Sequence, residues 1–278
     1  MQSEGAVDKA EAYYDSDDAD AFYSTVWGGT DIHIGLYQSE TEDIASASRR
    51  TVSAMADKLT VIDAGSQVLD LGAGYGGAAR YLAERFGCHV TCLNLSTVQN
   101  AENQRQNAEA GLNDKVRVLH GNFEQVPEPD ASADVIWSQD AFLHSGQRER
   151  VLDEVARLTR PGGEVVFTDP MQTANADPAG LAPILARIHL ASLGSPEFYE
   201  AGLAARGFSL VEFEDHTAQM ARHYTRVAEV VRSNYDAMVG RCSTDYLDAM
   251  LKGLAHWVEG AERGNLCWGI FLFRKAGG

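Results

Sequence analysis

Asp70-Leu71-Gly72-Ala73-Gly74-Tyr75-Gly76-Gly77 puts an acid and four glycines into eight residues, straight after the short apolar run that begins at Gln67. Glycine lets a backbone turn tightly and approach a ligand with no Cβ in the way. N–H groups left open where a helix starts attract negative or electron-rich atoms. The loop satisfies two templates. Gly72, Gly74 and Gly77 fit the G-x-G-x-x-G spacing of a dinucleotide site. Asp70, Gly72, Gly74 and Gly76 fit an acidic-x-G-x-G-x-G spacing. Spacing alone leaves both open.

Other residues could also do chemistry. Residues 22–37 (FYSTVWGGTDIHIGLY) gather Phe22, Tyr23, Trp27 and Tyr37 around His33, ahead of the first stretch that looks like a folded core. His144 follows a strand-like run. Cys88-His89-Val90-Thr91-Cys92 has metal-ligand residue types, but it alternates like a buried strand and no second ligand pair follows at metal spacing, so no metal site is expected.

These residues need elements to hold them. Helical spacing over 42–62 sets Ile44, Val52, Met55, Leu59 and Ile62 on one face. Strands are expected at 67–71, 88–93, 115–120, 133–138 and 164–169, separated by helices at 78–86, 97–110 and 147–159. Strands alternating with helix-length segments mean βαβ units, a parallel sheet and helices on both faces. Ligands in such sheets sit beyond the carboxyl ends of the strands. That singles out residues 72–77, 94–99, 121–123, 139–144 and 169–171. Further on, helices are expected at 178–191, 195–206, 217–239 and 244–262, and strands at 208–214 and 266–274. Met220, Tyr224, Val227, Val231 and Met238 form the apolar stripe of the 217–239 helix. The late helices, with the N-terminal segment, could build a lid. A single domain over 1–278 is expected: a cap at 1–63, a core at 64–170, and lid insertions with the last two strands at 171–278.

Composition narrows the partners. Forty-five per cent of the 278 residues are hydrophobic and the formal net charge is −17, so nucleic acid and anionic membranes would be repelled. No apolar run approaches a membrane span and the acidic N-terminus is unlike a signal peptide. With four cysteines and no obvious pairing, a cytoplasmic protein is the expectation. Lysine is scarce: Lys9, Lys58, Lys115, Lys252 and Lys275, against eighteen arginines. An acidic, lysine-poor surface points to work in concentrated salt.

Context separates the two loop templates. A dinucleotide site wants an acid near the end of the second strand, and that end reads Leu93-Asn94-Leu95-Ser96. Gly121-Asn122-Phe123-Glu124, Ala133-Asp134-Val135-Ile136-Trp137-Ser138-Gln139-Asp140 and Leu158-Thr159-Arg160-Pro161-Gly162-Gly163 complete a series over 66–170 that resembles the class I S-adenosylmethionine (SAM)-dependent methyltransferases. The resemblance implies a Rossmann-like, mostly parallel seven-stranded sheet and SAM as cofactor. It implies that Asp70, Gly72, Ala73 and Gly74 pack on the methionine end and that Asn94 binds ribose with Gln99 nearby. Asn122 and Phe123 would frame adenine, and Gln139 would lie beside the methionine moiety. An oxidoreductase or a silent SAM-binding module are the alternatives from other classes.

Gln139-Asp140-Ala141-Phe142-Leu143-His144 lacks the Pro-Pro of the amino-nucleobase enzymes and looks like small-molecule methyltransferases. Residues 26–37 closely resemble the N-terminal segment of sarcosine/dimethylglycine N-methyltransferases, which finish glycine betaine synthesis. A phosphoethanolamine-type N-methyltransferase is the alternative, although a phosphate acceptor would ask for a more basic lid. In phosphoethanolamine N-methyltransferases the matching histidine lies close to a tyrosine of the N-terminal segment, and that resemblance implies His144 and Tyr14 over the reaction centre. Tyr14, Tyr23 and Trp27 are the candidates to face the acceptor, with His33 beside them, and Asp169 and Met171, which follow the fifth strand, are expected to line its pocket. Methylated ammonium groups have little to hydrogen-bond with, and aromatic faces hold them by cation–π attraction. Those rings could equally fill a cap core. Arg187, His189, Arg222, His223 and Arg226 are the candidates for meeting a substrate carboxylate.

Overall fold

The computed structural model describes residues 15, 17–27 and 30–277, so Tyr14 lies outside the described residues. Seven strands form one sheet: β1 (Gln67–Leu71), β2 (His89–Asn94), β3 (Val116–His120), β4 (Ala133–Gln139), β5 (Thr159–Gln172), β6 (Phe208–Asp215) and β7 (Leu266–Lys275). Their order is β3-β2-β1-β4-β5-β7-β6, parallel except for β7, which runs antiparallel to both its neighbours. Helices α1 (Asp17–Val26) and α2 (Ile44–Lys58) precede the sheet. Helices α3 (Gly77–Phe86), α4 (Thr97–Glu109) and α5 (Arg148–Leu158) are the crossovers. Helices α6 (Pro178–Ile188), α7 (Pro196–Ala204), α8 (Thr217–Ser233), α9 (Tyr235–Met238) and α10 (Thr244–Glu262) come late.

The two-residue period of the strands builds both faces at once. Ile136, Phe167, Phe271 and Phe273 pack on one side with α5 and α7. Their neighbours Val135, Trp137, Val166, Ile270 and Leu272 pack on the other with α2 and α3. A sheet covered on both faces leaves only its strand ends open for a ligand.

The late helices are not a separate body. Phe22, Val26 and Trp27 share a core with Val227, Val231, Met238, Leu247 and Met250. Ile34 shares another with Met220, Trp257 and Trp268. Residues 30–37 therefore form a strap held between the lid helices and the sheet. The expected 217–239 helix is two helices. The Asn234 side chain donates to the Val230 carbonyl at 2.8 Å and ends α8, and α9 restarts after it.

Glu164 of β5 fixes the chain leading into β1. It is fully buried and accepts from the Thr60 amide at 2.8 Å, the Thr60 hydroxyl at 2.7 Å and Arg274 of β7. Burial alone would push this carboxyl up, but the bonds from Arg274 and Thr60 outweigh it and hold it below its ordinary value. Its contribution is therefore present above the unfolded carboxylate pKa of about 4.3 and lost as pH falls through the folded value. Glu164→Gln should cost about 2 kcal/mol at pH 7, since it leaves Arg274 without its charge partner. Denaturant titrations at pH 7 and pH 3.5 should show the difference from wild type shrinking in acid.

Candidate active site

The carboxyl ends of β1, β2, β3 and β4 open on a cleft. Gly72, Gly74, Asn94, Gln99, Asn122, Phe123, Gln139 and His144 all line it. Asp70 and Ala73 line a smaller adjoining cavity with Asp31, Ile32 and His33 of the strap. The sequence therefore found most of the wall. Asp140 and Ala141 fell inside the ranges that the strand-end rule marks out. Ile32, Glu124 and Ser145 were missed: Ile32 lies on the strap, and Ser145 and Glu124 meet through a side-chain bond of 2.7 Å that no local pattern encodes.

The glycines are needed for shape. Gly72, Gly74 and Gly76 all have positive φ. A Cβ on Gly72 would stand 2.4 Å from the Ala141 Cβ, and one on Gly76 would stand 2.2 Å from Asn103 Oδ1. Arg80 braces the loop from beneath, donating to the Tyr75 carbonyl at 2.8 Å and to the Asn103 and Asn107 side chains. Asp70 is buried behind the loop. That burial, together with the Asp31 charge, pushes its carboxyl up to about 8.

Several polar groups already face the cleft. Asn94 donates to Gln99 Oε1 at 3.0 Å, and Asn122 Oδ1 accepts from the Glu124 amide at 2.8 Å. Gln139 accepts from the Trp137 indole at 3.0 Å, while its buried Nε2 has no partner among the described residues. A buried amide donor without a partner is costly unless a ligand meets it. A glycine cradle with such a donor at its edge suits SAM, whose methionine end presents a carboxylate.

Asp140 stands at φ +50° at the end of β4. One oxygen accepts from the Ile34 amide at 2.7 Å. The other accepts from the Trp268 indole at 2.7 Å and the Thr168 hydroxyl at 2.8 Å. It joins the strap, β7 and β5 at the rim. His144 closes a short 3-10 turn (Phe142–His144) whose Leu143 amide donates to Asp169 at 2.8 Å. Burial pushes His144 down to about 4, so the ring is neutral at working pH.

Asp169 and Met171 do not reach the cleft. Both are fully buried, because β5 does not end at 169: it runs to Gln172, with Asp169 opposite Gly269 and Met171 opposite Cys267. Asp169 instead holds the His144 turn on one oxygen and accepts from Tyr199 at 2.6 Å on the other. Trp27 is buried, and its indole donates to the His33 carbonyl at 3.3 Å. The Tyr23 ring lies 5.2 Å from it.

A sheet of this order, with a glycine loop after β1 and the cleft at its strand ends, defines a class I SAM-dependent methyltransferase. Residues 69–167 match the family model of the methyltransferase domain. The chain is 48% identical to the sarcosine/dimethylglycine N-methyltransferase of Aphanothece halophytica over 99% of both chains. It is 48% identical to the dimethylglycine N-methyltransferase of Parasynechococcus marenigrum over 96% of both. A crystal structure from Galdieria sulphuraria, described as a sarcosine dimethylglycine methyltransferase, superposes with a TM-score of 0.91 at 41% identity, covering 95% of this chain and 99% of that one. The chain belongs to the sarcosine/dimethylglycine N-methyltransferase family.

Gly72→Ala tests the cradle. The added Cβ collides with Ala141 and the left-handed backbone is strained, so affinity for S-adenosylhomocysteine (SAH) should fall at least about tenfold, roughly 1.4 kcal/mol. Calorimetric titration reads this directly.

Proposed function

We propose that the protein uses SAM to methylate sarcosine and dimethylglycine, yielding glycine betaine, and that it does so in the cytoplasm, where its four buried free thiols stay reduced. The observation that carries this reading is near-full-length likeness to enzymes of that name, strap and lid included. When bound, SAM supplies a methyl group on a sulfonium. The chain supplies position and a dry site.

Glycine-loop residues 70–74 take the methionine end. Asn94 with Gln99 takes the ribose, Asn122 with Phe123 the adenine edge, and Gln139 the methionine polar groups. Trp27, with Tyr23 against it, offers aromatic surface to a methylated nitrogen. His33, at the inner edge of the strap, lines the cavity beside Gly72 and Gly74. Tyr14 belongs to this reading through the family resemblance alone.

Electrostatics decides the role of His144. A proton passed from an ammonium of pKa about 10 to a ring whose pKa is about 4 climbs about 8 kcal/mol. His144 therefore orients the acceptor, and the reactive amine is the fraction already deprotonated. Asp169 and Tyr199 support that turn from below.

Methyl transfer to glycine, sarcosine, dimethylglycine and phosphoethanolamine, compared in low and high salt, tests the assignment. Sarcosine and dimethylglycine should turn over. Their kcat/KM should climb with pH toward the acceptor's own ammonium pKa, with no break at about pH 6 to 7, where an ordinary histidine base would titrate. Turnover of phosphoethanolamine alone would overturn the acceptor assignment.

A further inference from the structure

The proposed acceptors carry a carboxylate one methylene from the reacting nitrogen, and a carboxylate leaving water needs N–H donors. Of the candidate cations, Arg187 is spent on the Ala249 carbonyl at 3.0 Å and packs on Gly253. Arg226 pairs with Glu229 through one terminal nitrogen, although its buried Nε finds no partner among the described residues; Arg222 is half-buried on α8, and His189 is exposed at the end of α6. His223 is different. Its place on α8, in step with Met220, Val227 and Val231, seats it fully buried behind the strap.

The ring's tautomer follows from its partners. The Gly35 amide reaches His223 Nδ1 at 3.2 Å, and an amide can only donate, so Nδ1 accepts. The Tyr37 hydroxyl sits 2.9 Å from the same atom. Burial pushes the ring down to about 3, so it is neutral and its hydrogen is on Nε2. That buried Nε2 has no partner among the described residues. Nor has the buried Nε2 of His33, whose Nδ1 is turned to the Ile34 carbonyl at 3.2 Å. The Trp27 ring lies 5.4 Å from the His223 ring.

We infer that the Nε2–H of His223, beside His33, binds the carboxylate of the amino-acid acceptor while Trp27 faces its methylated nitrogen. This rests on the acceptor assignment above. The chemistry favours a neutral donor here. An arginine beside Trp27 would compete with the substrate ammonium for the aromatic face, whereas an imidazole N–H does not.

Nitrogen-15 NMR of histidine-labelled enzyme with SAH bound tests it in the wild type. Dimethylglycine should shift the His223 Nε2 resonance saturably, and N,N-dimethylethylamine, which lacks the carboxylate, should leave it in place. His223→Leu should raise KM for dimethylglycine at least tenfold with unchanged SAH affinity, and His223→Gln should recover part of the loss. Should His223→Leu not fold, the wild-type resonance still decides. Turnover of dimethylglycine with an unmoved resonance, or an unchanged KM in a folded His223→Leu, overturns the inference alone. No dimethylglycine turnover by wild type overturns the acceptor assignment, and this inference with it.

Discussion

One carboxylate closes this molecule. A parallel sheet with both faces covered leaves its strand ends open, and something must roof them. Here the roof is the strap of residues 30–37, and Asp140 latches it. Three donors from three parts of the chain meet on that side chain: the Ile34 amide, the Trp268 indole and the Thr168 hydroxyl. A carboxylate receiving three N–H or O–H bonds is worth more than any one of them, and it fixes direction as well as distance. Asp140 makes these bonds from a left-handed backbone.

The rest of the site hangs on that latch. With Ile34 held, Ser48 and Thr51 of α2 donate to the His33 and Ile34 carbonyls, at 2.9 and 2.8 Å. His33 then stands beside the glycine loop, and Gly35 and Tyr37 meet His223 on the lid. A second acid works in the same manner one layer down, where Asp169 fixes the turn that ends at His144. Both acids act through backbone amides. The side chains that face a ligand are mostly neutral amides, imidazoles and aromatic rings, which can receive a cationic amine without competing charge.

Much of this was legible in the sequence, because the signals are local. Period-two strands, helix-length spacers and the glycine loop gave the sheet through β4 and the wall of the cleft to within a residue or two. What escaped was set by pairing across the chain. Asp169 and Met171 read as strand-end residues because the apolar run was expected to end at 169, yet β7 pairs with β5 past that point and both are buried. The α8 stripe read as Tyr224, but the helix buries His223 and leaves Tyr224 partly exposed, a distinction of one position that only packing resolves. The break at Asn234 was also visible only once its side chain had found the Val230 carbonyl.

The latch can be measured directly. Hydrogen exchange at the Ile34 amide, with SAH bound, in wild type and in Asp140→Asn, isolates it from the sheet. If Asp140 holds the roof, the variant should exchange at Ile34 at least about tenfold faster, roughly 1.4 kcal/mol of lost protection, while amides of β1 and β4 keep theirs. An Ile34 amide equally protected in both proteins would contradict the account, because the strap would then be held by the lid and Asp140 would be a bystander at the rim.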